Sequence, residues 1–134
     1  MFRTIVVLIA LTTLTAEAGE MHTYLNKVST FKGPIAYADA SLKTVFYVES
    51  DGRHVSAIGF DGQVLWTRNP FVDGKLEPYR LAEPKIVRIG PSKGLGPSGW
   101  KPDAKATYIG ITFNSTQFGI MNAATGDFAD GGRD

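Results

Sequence analysis

Metal-ligating side chains are scarce in this chain of 134 residues. His22 and His54 are the only histidines, and there is no cysteine. A protein metal site usually takes three or four clustered ligands, and His54 has no partner at a ligand-like spacing. We therefore predict no metal site, and we interpret His54 as a surface residue at the start of a strand.

A glycine-rich stretch at residues 94–99 has the spelling of the dinucleotide-binding fingerprint, G-x-G-x-x-G. In that fingerprint the glycines bring a phosphate to the N-terminus of a helix inside a β-α-β unit. Here Trp100-Lys101-Pro102 follows directly, and no helical pattern begins. We interpret the stretch as a flexible loop, and the sequence predicts no cofactor.

Hydrolytic chemistry also lacks its usual signatures. There is no Gly-x-Ser-x-Gly nucleophile elbow, and a serine triad would have to recruit one of the two histidines. The sequence leaves open a pair of carboxylates for glycoside hydrolysis. Several acids, however, stand beside a glycine, where turn formation already explains them: Asp51, Asp61, Asp73 and Asp127. We assign no catalytic residue.

Aromatic and basic side chains are the best candidates for binding. Trp100 lies in a loop rich in glycine and proline, where an exposed indole suits a sugar ring or a peptide segment. Trp66 alternates onto the same strand face as Val64, so we expect it in the core. Segment 75–105 carries an excess of Lys and Arg over Asp and Glu. The predicted ligand-binding residues are Arg68, Arg80, Lys93, Trp100 and Lys101.

The elements that must position these residues are clearest in segment 44–67. It is predicted to form three strands joined by tight turns at Asp51-Gly52 and Asp61-Gly62, because Asp-Gly supplies the positive φ angles that short hairpins need. The first strand, residues 45–48, is apolar at every position, which predicts packing on both of its faces. The next two strands are predicted at 54–58 and 63–67.

Further strands are predicted at 85–90, 107–113 and 117–122, with a return strand that begins near Phe128. Residues 19–39 predict one short strand or helical turn. Two long connections, 68–84 and 91–104, hold most of the prolines, and we place both at one end of the molecule. Because no segment of ten residues has helical periodicity, we predict an all-β fold. It would be a small antiparallel β-meander of seven or eight strands, forming a barrel or a two-layer sandwich.

Two hairpins share an order of strand, glycine-containing turn and aromatic residue. They are AIGFDGQVLW at 57–66 and IMNAATGDF at 120–128. Both resemble the blade motif of quinoprotein-type β-propellers. The resemblance implies blade-like hairpins, but the chain is too short for a complete ring of four-stranded blades. The wider pattern, with WTRNPF in the middle and ITFNSTQFGIMNAATGDF near the end, also looks like that of small exported proteins of Gram-negative bacteria.

The N-terminus predicts export. Arg3 provides a positive n-region, residues 5–14 form an apolar run, and Ala16-Glu17-Ala18 supplies small residues at the positions that signal peptidase reads. The run is about half of the ~20 residues that cross a bilayer. We therefore expect a cleaved signal peptide at 1–18, no stable membrane insertion, and a single β-domain at 19–134. The predicted location is periplasmic or secreted.

The formal net charge of +1 gives no reason to expect a nucleic-acid partner. Because sites on a β-scaffold usually lie in its loops, we expect a non-enzymatic exported module that binds an envelope protein or a glycan through the two long connections. The first alternative is a structural subunit that pairs through a sheet edge with copies of itself or with an envelope complex. The second is a hydrolase with carboxylate chemistry.

Overall fold

Short turns between apolar strands build this fold from local hairpins. The computed structural model describes residues 34–134. These residues contain eight strands and one helical turn: β1 (Ala36–Asp39), β2 (Thr44–Val48), β3 (Val55–Gly59), β4 (Val64–Arg68), α1 (Pro70–Asp73), β5 (Ile86–Pro91), β6 (Tyr108–Phe113), β7 (Gln117–Asn122) and β8 (Phe128–Arg133). The predicted signal peptide, His22 and the segment up to residue 33 lie outside the described residues.

The strands form two antiparallel sheets of four. The first sheet has the order β1-β2-β3-β4 and the second β5-β6-β7-β8, so each is a simple meander. The predicted all-β fold and its strands are confirmed. Of the two arrangements considered, the described residues form separate sheets rather than a closed barrel. β1 lies in the segment for which only one short strand or helical turn was predicted.

Both predicted Asp-Gly turns are confirmed. Gly52 and Gly62 have φ angles of 70° and 88°, which L-residues with a Cβ seldom adopt. In the first turn the Asp51 carboxylate accepts the backbone N–H groups of Arg53 at 2.8 Å and His54 at 3.0 Å. These bonds fix the turn that joins β2 to β3.

The core lies between the inner faces of the two sheets. In the first sheet, Tyr37, Phe46, Ala57 and Trp66 face one another across the four strands, and the Phe46 ring lies 6.0 Å from the Trp66 ring. The inner face of the second sheet contributes Ile86, Ile89, Ile109, Ile111, Phe113 and Met121. Because both sheets bury their apolar side chains in one cluster, neither has a complete core alone.

Trp66 joins the two sheets and is 7% exposed. Its indole N–H donates to the carbonyl oxygen of Ala123 at 3.0 Å, in the turn between β7 and β8. The prediction of a core residue is confirmed, but the reason given for it is wrong. The register shifts between β3 and β4, so that Ala57 faces Trp66 while Ile58 faces Val64. This β-bulge breaks the alternation and leaves Val64 62% exposed.

The two long connections begin at opposite ends of the molecule, which corrects the prediction that they lie together. The first leads from β4 to β5, whose residue Ile86 donates its N–H to the carbonyl of Gly52 at 2.7 Å. It therefore lies at the end that carries the β2–β3 turn. The second starts at Pro91, after β5 has run across the sheet. The sequence could not show at which end of the molecule each connection lies. That depends on the direction in which β5 runs, and the irregular segment before β5 does not reveal it.

The second connection lies on the outer face of the second sheet. A Cβ on Gly110 would lie 2.6 Å from a methyl carbon of Leu95, so the missing side chain lets Leu95 approach the strand. Ile120 faces Gly110 across β6 and β7 and is 1% exposed although it is outside the core cluster. The connection therefore forms an apolar layer over this part of the face.

Residues 34–134 form one compact unit by their contacts. In this part of the chain no helix is long and apolar enough to span a membrane.

Candidate functional site

The five predicted ligand-binding residues do not form one site in the structure. Arg68 is exposed at the end of β4, where its guanidinium donates to the Thr67 carbonyl at 3.2 Å. Arg80 is exposed beside Tyr79, with its guanidinium carbon 5.1 Å from the ring centroid. Lys93 and Lys101 are exposed in the second connection. None of the five lines any of the grooves described below.

Trp100 is half-buried rather than presented as a platform. Its ring meets Tyr108 edge to face, with centroids 4.8 Å apart at 86°, and its six-membered ring also abuts Gly96. Such an aromatic pair contributes about 0.5–1.5 kcal/mol beyond the area it buries. The indole thus helps to fix the second connection on the sheet.

The acids of the Asp-Gly turns act in turn formation, as predicted for Asp51 and Asp61. Asp61 accepts the Gln63 N–H at 3.1 Å. Asp51 accepts two backbone N–H groups and also meets the His54 ring at Nδ1, at 2.5 Å. The N–H groups of Arg53 and His54, and then the His54 ring, lower the pKa of Asp51 to about 2. In residues 34–134 no group of three His, Asp or Glu side chains is placed to hold a metal ion.

A small recess lies in the first connection and is more enclosed than the two grooves described below; we call it the Phe71 pocket. Its geometry begins with Asn69, whose side-chain oxygen accepts the Val72 N–H at 3.3 Å and so caps the single turn α1. Pro70 occupies the first position of that turn and is buried. Proline suits this position because its φ is already helical and its missing N–H would have no partner there.

The helical turn points two apolar side chains in different directions. Phe71 is half-buried and packs edge to face on Phe113 of β6, with ring centroids 6.1 Å apart. Val72 is 63% exposed. The Phe71 side chain is therefore held by the core, while the Val72 side chain stands at the mouth of the pocket.

An ion pair joins the far side of the pocket to the β2–β3 turn. Arg53 contacts Glu83 at 2.7 Å, and their side chains are 35% and 76% exposed. Exposed pairs of this kind contribute only about 0–1 kcal/mol to stability. Beside the pocket, the pair neutralises two charges that would otherwise border an apolar recess.

The Phe71 pocket has a volume of about 140 Å³. Its lining residues are Arg53, Asn69, Phe71, Val72, Ala82, Glu83 and Pro84. An apolar cavity of ~150 Å³ holds one benzene molecule, so this recess suits a single aromatic ring or branched aliphatic side chain.

Two other grooves are wider and more open to solvent. A groove of about 380 Å³ lies between Leu42, Leu65 and the segments 105–107 and 122–125. A groove of about 350 Å³ is lined largely by charged and polar residues, among them Lys75, Glu77, Gln117, Asp130 and Arg133. Gln117 is already used inside the protein, since its amide donates to the Glu77 carbonyl at 2.8 Å. Neither groove combines an anchored aromatic with an apolar rim.

None of the residues that line the Phe71 pocket is among the five predicted from the sequence to bind a ligand. Asn69-Pro70 is a helix-start signal, with a capping residue before a proline, and it precedes the apolar pair Phe71-Val72. That signal could have located the helical turn. The contact between Arg53 and Glu83 could not have been predicted in this way, because the pair forms only where β5 begins beside the β2–β3 turn.

None of the protein-family models, curated proteins or solved structures compared with this chain matches it.

Proposed function

We propose that this protein is an exported, non-enzymatic binding module that holds a protein partner of the cell envelope at the Phe71 pocket. The observation that carries the proposal is an apolar recess the size of one side chain, next to the exposed Val72. Binding energy at protein interfaces is concentrated in such anchor pockets. The first connection is again the binding loop, as predicted from the sequence, but the proposed site uses its apolar residues instead of its basic ones.

A protein segment fits this pocket better than a glycan. A sugar needs several hydrogen-bonding partners in addition to an aromatic surface, and the polar groups in the lining are few. Arg53 and Glu83 are paired with each other, and the Asn69 side chain caps α1. An apolar side chain needs none of these groups and would gain roughly 1.5–3 kcal/mol from burial.

The chemical part of the proposal is tested with a small probe. N-acetyl-phenylalanine amide, added to the isotope-labelled full chain, should shift the amide signals of Phe71, Val72 and Ala82 in a saturable way. Val72→Glu should abolish these shifts, because a carboxylate at the mouth opposes the burial of an apolar ring. Val87→Glu is the matched control, since Val87 is a similarly exposed valine on β5, 50% exposed, and should leave the shifts unchanged.

The biological part is tested with the natural mixture of candidates. Immobilised protein is incubated with envelope extract, and retained proteins are quantified by mass spectrometry. We expect at least one protein that the unaltered chain and Val87→Glu retain and that Val72→Glu loses. Identical sets for all three chains, together with unaltered probe spectra, would exclude the Phe71 pocket as the site.

A further inference from the structure

Residues 92–101 of the second connection lie on the outer face of the second sheet, and we call this segment the strap. Leu95 is its main point of attachment. A Cβ on Gly110 would lie 2.6 Å from the Leu95 Cδ1 methyl, and a Cβ on Gly131 would overlap the Leu95 carbonyl oxygen. Leu95 therefore occupies a notch that exists because β6 and β8 each have a glycine at this place.

The strap has one other side-chain attachment and makes its hydrogen bonds within itself. Trp100 meets Tyr108 edge to face, with ring centroids 4.8 Å apart. Among the described residues, the Leu95 N–H donates to the Ser92 carbonyl at 3.1 Å. The Trp100 N–H likewise donates to the Pro97 carbonyl at 3.0 Å. A segment held to the body of a protein by few apolar contacts opens at a much lower free energy than the whole fold.

Two glycines give the strap room to move. Gly94 and Gly99 have φ angles of 71° and 74°, and a Cβ at either position would meet no atom within 4 Å. Their backbones can therefore rotate without a clash, as hinge positions must. Pro91 and Pro102 border the strap, and their rings fix φ. The movement is thus confined to the residues between the two prolines.

The strap covers an apolar surface that the core does not need. Ile120 faces Gly110 across β6 and β7 and is 1% exposed, yet it is outside the core cluster. That cluster fills the other face of the sheet, and the cross-strand pairs of β5 to β8 include no residue of the strap. Opening of the strap would therefore expose Ile120 and leave both sheets paired and packed.

We infer that the strap is an internal ligand of this outer face and leaves it while the two sheets remain folded. In the closed state Leu95 fills the notch between Gly110 and Gly131, so the face is closed to other molecules. In the open state the face presents Ile120 and an empty notch the size of a leucine side chain. This switch is independent of the proposed function, because no residue of the strap lines the Phe71 pocket.

Labelling of single thiols tests the inference. The chain has no cysteine, so one introduced thiol reports on its own position. Ile120→Cys places the thiol beneath the strap, and Ile111→Cys places it in the core, where Ile111 is 0% exposed. Slow alkylation by iodoacetamide in native buffer measures how often each thiol becomes accessible. Thermal melting followed by circular dichroism checks that both variants are folded.

The two thiols should differ in rate and in their response to urea. Ile120→Cys should be labelled faster, at a rate that low urea hardly changes, because strap opening exposes little surface. Ile111→Cys should be labelled only when the sheets separate, at a rate that rises steeply with urea. Equal rates with the same steep dependence on urea would overturn the inference, because Ile120 would then become accessible only on unfolding.

A second substitution in each chain separates strap opening from unfolding. Leu95→Ala should speed the labelling of Ile120→Cys roughly tenfold, because the closed state loses a contact that the open state does not make. Val55→Ala is the control, since Val55 is buried in the first sheet and its contacts persist when the strap opens. It should speed the labelling of Ile111→Cys and leave that of Ile120→Cys unchanged. Equal acceleration of both thiols by Val55→Ala would also contradict the inference.

Discussion

Single side chains in this protein have functions that their type alone does not reveal. Trp66 is an aromatic residue of the kind that often binds ligands, yet its indole N–H is used by the Ala123 carbonyl inside the protein. Asp51 and His54 form an acid–imidazole pair, a combination familiar from catalysis. Here the Asp51 carboxylate also holds two backbone N–H groups, which makes the pair a part of the β2–β3 turn.

The Asp51 turn should make stability depend on pH in a defined window. The folded pKa of about 2 lies below the usual value of about 3.9 in an unfolded chain. The carboxylate therefore contributes stability that is fully present above about pH 4 and is lost as the pH falls towards 2. Asp51→Asn removes this charge, so the unaltered chain should be the more stable one at pH 7 and the two should converge near pH 2.

Urea unfolding of both chains at pH 2, 3, 4 and 7 measures the convergence. Asp61→Asn, in the other Asp-Gly turn, controls for loss of a turn carboxylate. A difference between Asp51→Asn and the unaltered chain that stays constant over this range would contradict the prediction.

Individual elements owe their positions to contacts with the opposite sheet. The β7–β8 turn contains Gly126, with a φ of 78°, and a Cβ there would lie 2.6 Å from Arg68 Cγ and 2.8 Å from Trp66 Cδ2. The β3–β4 turn contains Gly62, with a φ of 88° and no atom within 4 Å of such a Cβ. The two glycines have similar φ angles but different surroundings.

Alanine at each of these glycines separates backbone strain from packing. Gly62→Ala should cost about 1–2 kcal/mol, because only the left-handed backbone opposes it. Gly126→Ala should cost about 1–3 kcal/mol more, since the added methyl also displaces Trp66 and Arg68. Chemical unfolding of both variants measures the costs, and Trp66 fluorescence should change only in Gly126→Ala. Equal costs would mean that the turn does not support the docking of Trp66.

The whole molecule is held by one core that both sheets share. Phe46 and Trp66 come from the first sheet, and Phe113 and Met121 from the second, yet all four belong to one cluster. A four-stranded meander that loses the opposite layer exposes one full apolar face. The folding of each sheet should therefore depend on the other.

A single cooperative unfolding transition is the expected consequence. Trp100→Phe leaves Trp66 as the reporter of the sheet–sheet contact, and Trp66→Phe leaves Trp100 as the reporter of the outer cover of the second sheet. Within each variant, the unfolding curve from tryptophan fluorescence should coincide with the curve from circular dichroism, as two-state behaviour requires. Separate midpoints within one variant would show that the sheets unfold independently.

Much of the local structure of residues 34–134 could be predicted from residue types alone. Asp51-Gly52 and Asp61-Gly62 specified their turns, because the backbone angles of a tight hairpin depend on the residues within it. Most strands were recognisable from runs of apolar and β-branched residues, because such residues favour a pleated, half-buried strand. The core position of Trp66 was also predicted, although the bulge in β4 placed Val64 elsewhere.

Contacts between distant segments could not be predicted in this way, because they depend on how the two sheets pack. Leu95 covers the second sheet at Gly110, and Arg53 meets Glu83 beside the Phe71 pocket. These arrangements join residues that are far apart in the chain, and they depend on the direction in which each long connection leaves its strand. Such directions follow from packing between sheets, which a pattern of neighbouring residues does not contain.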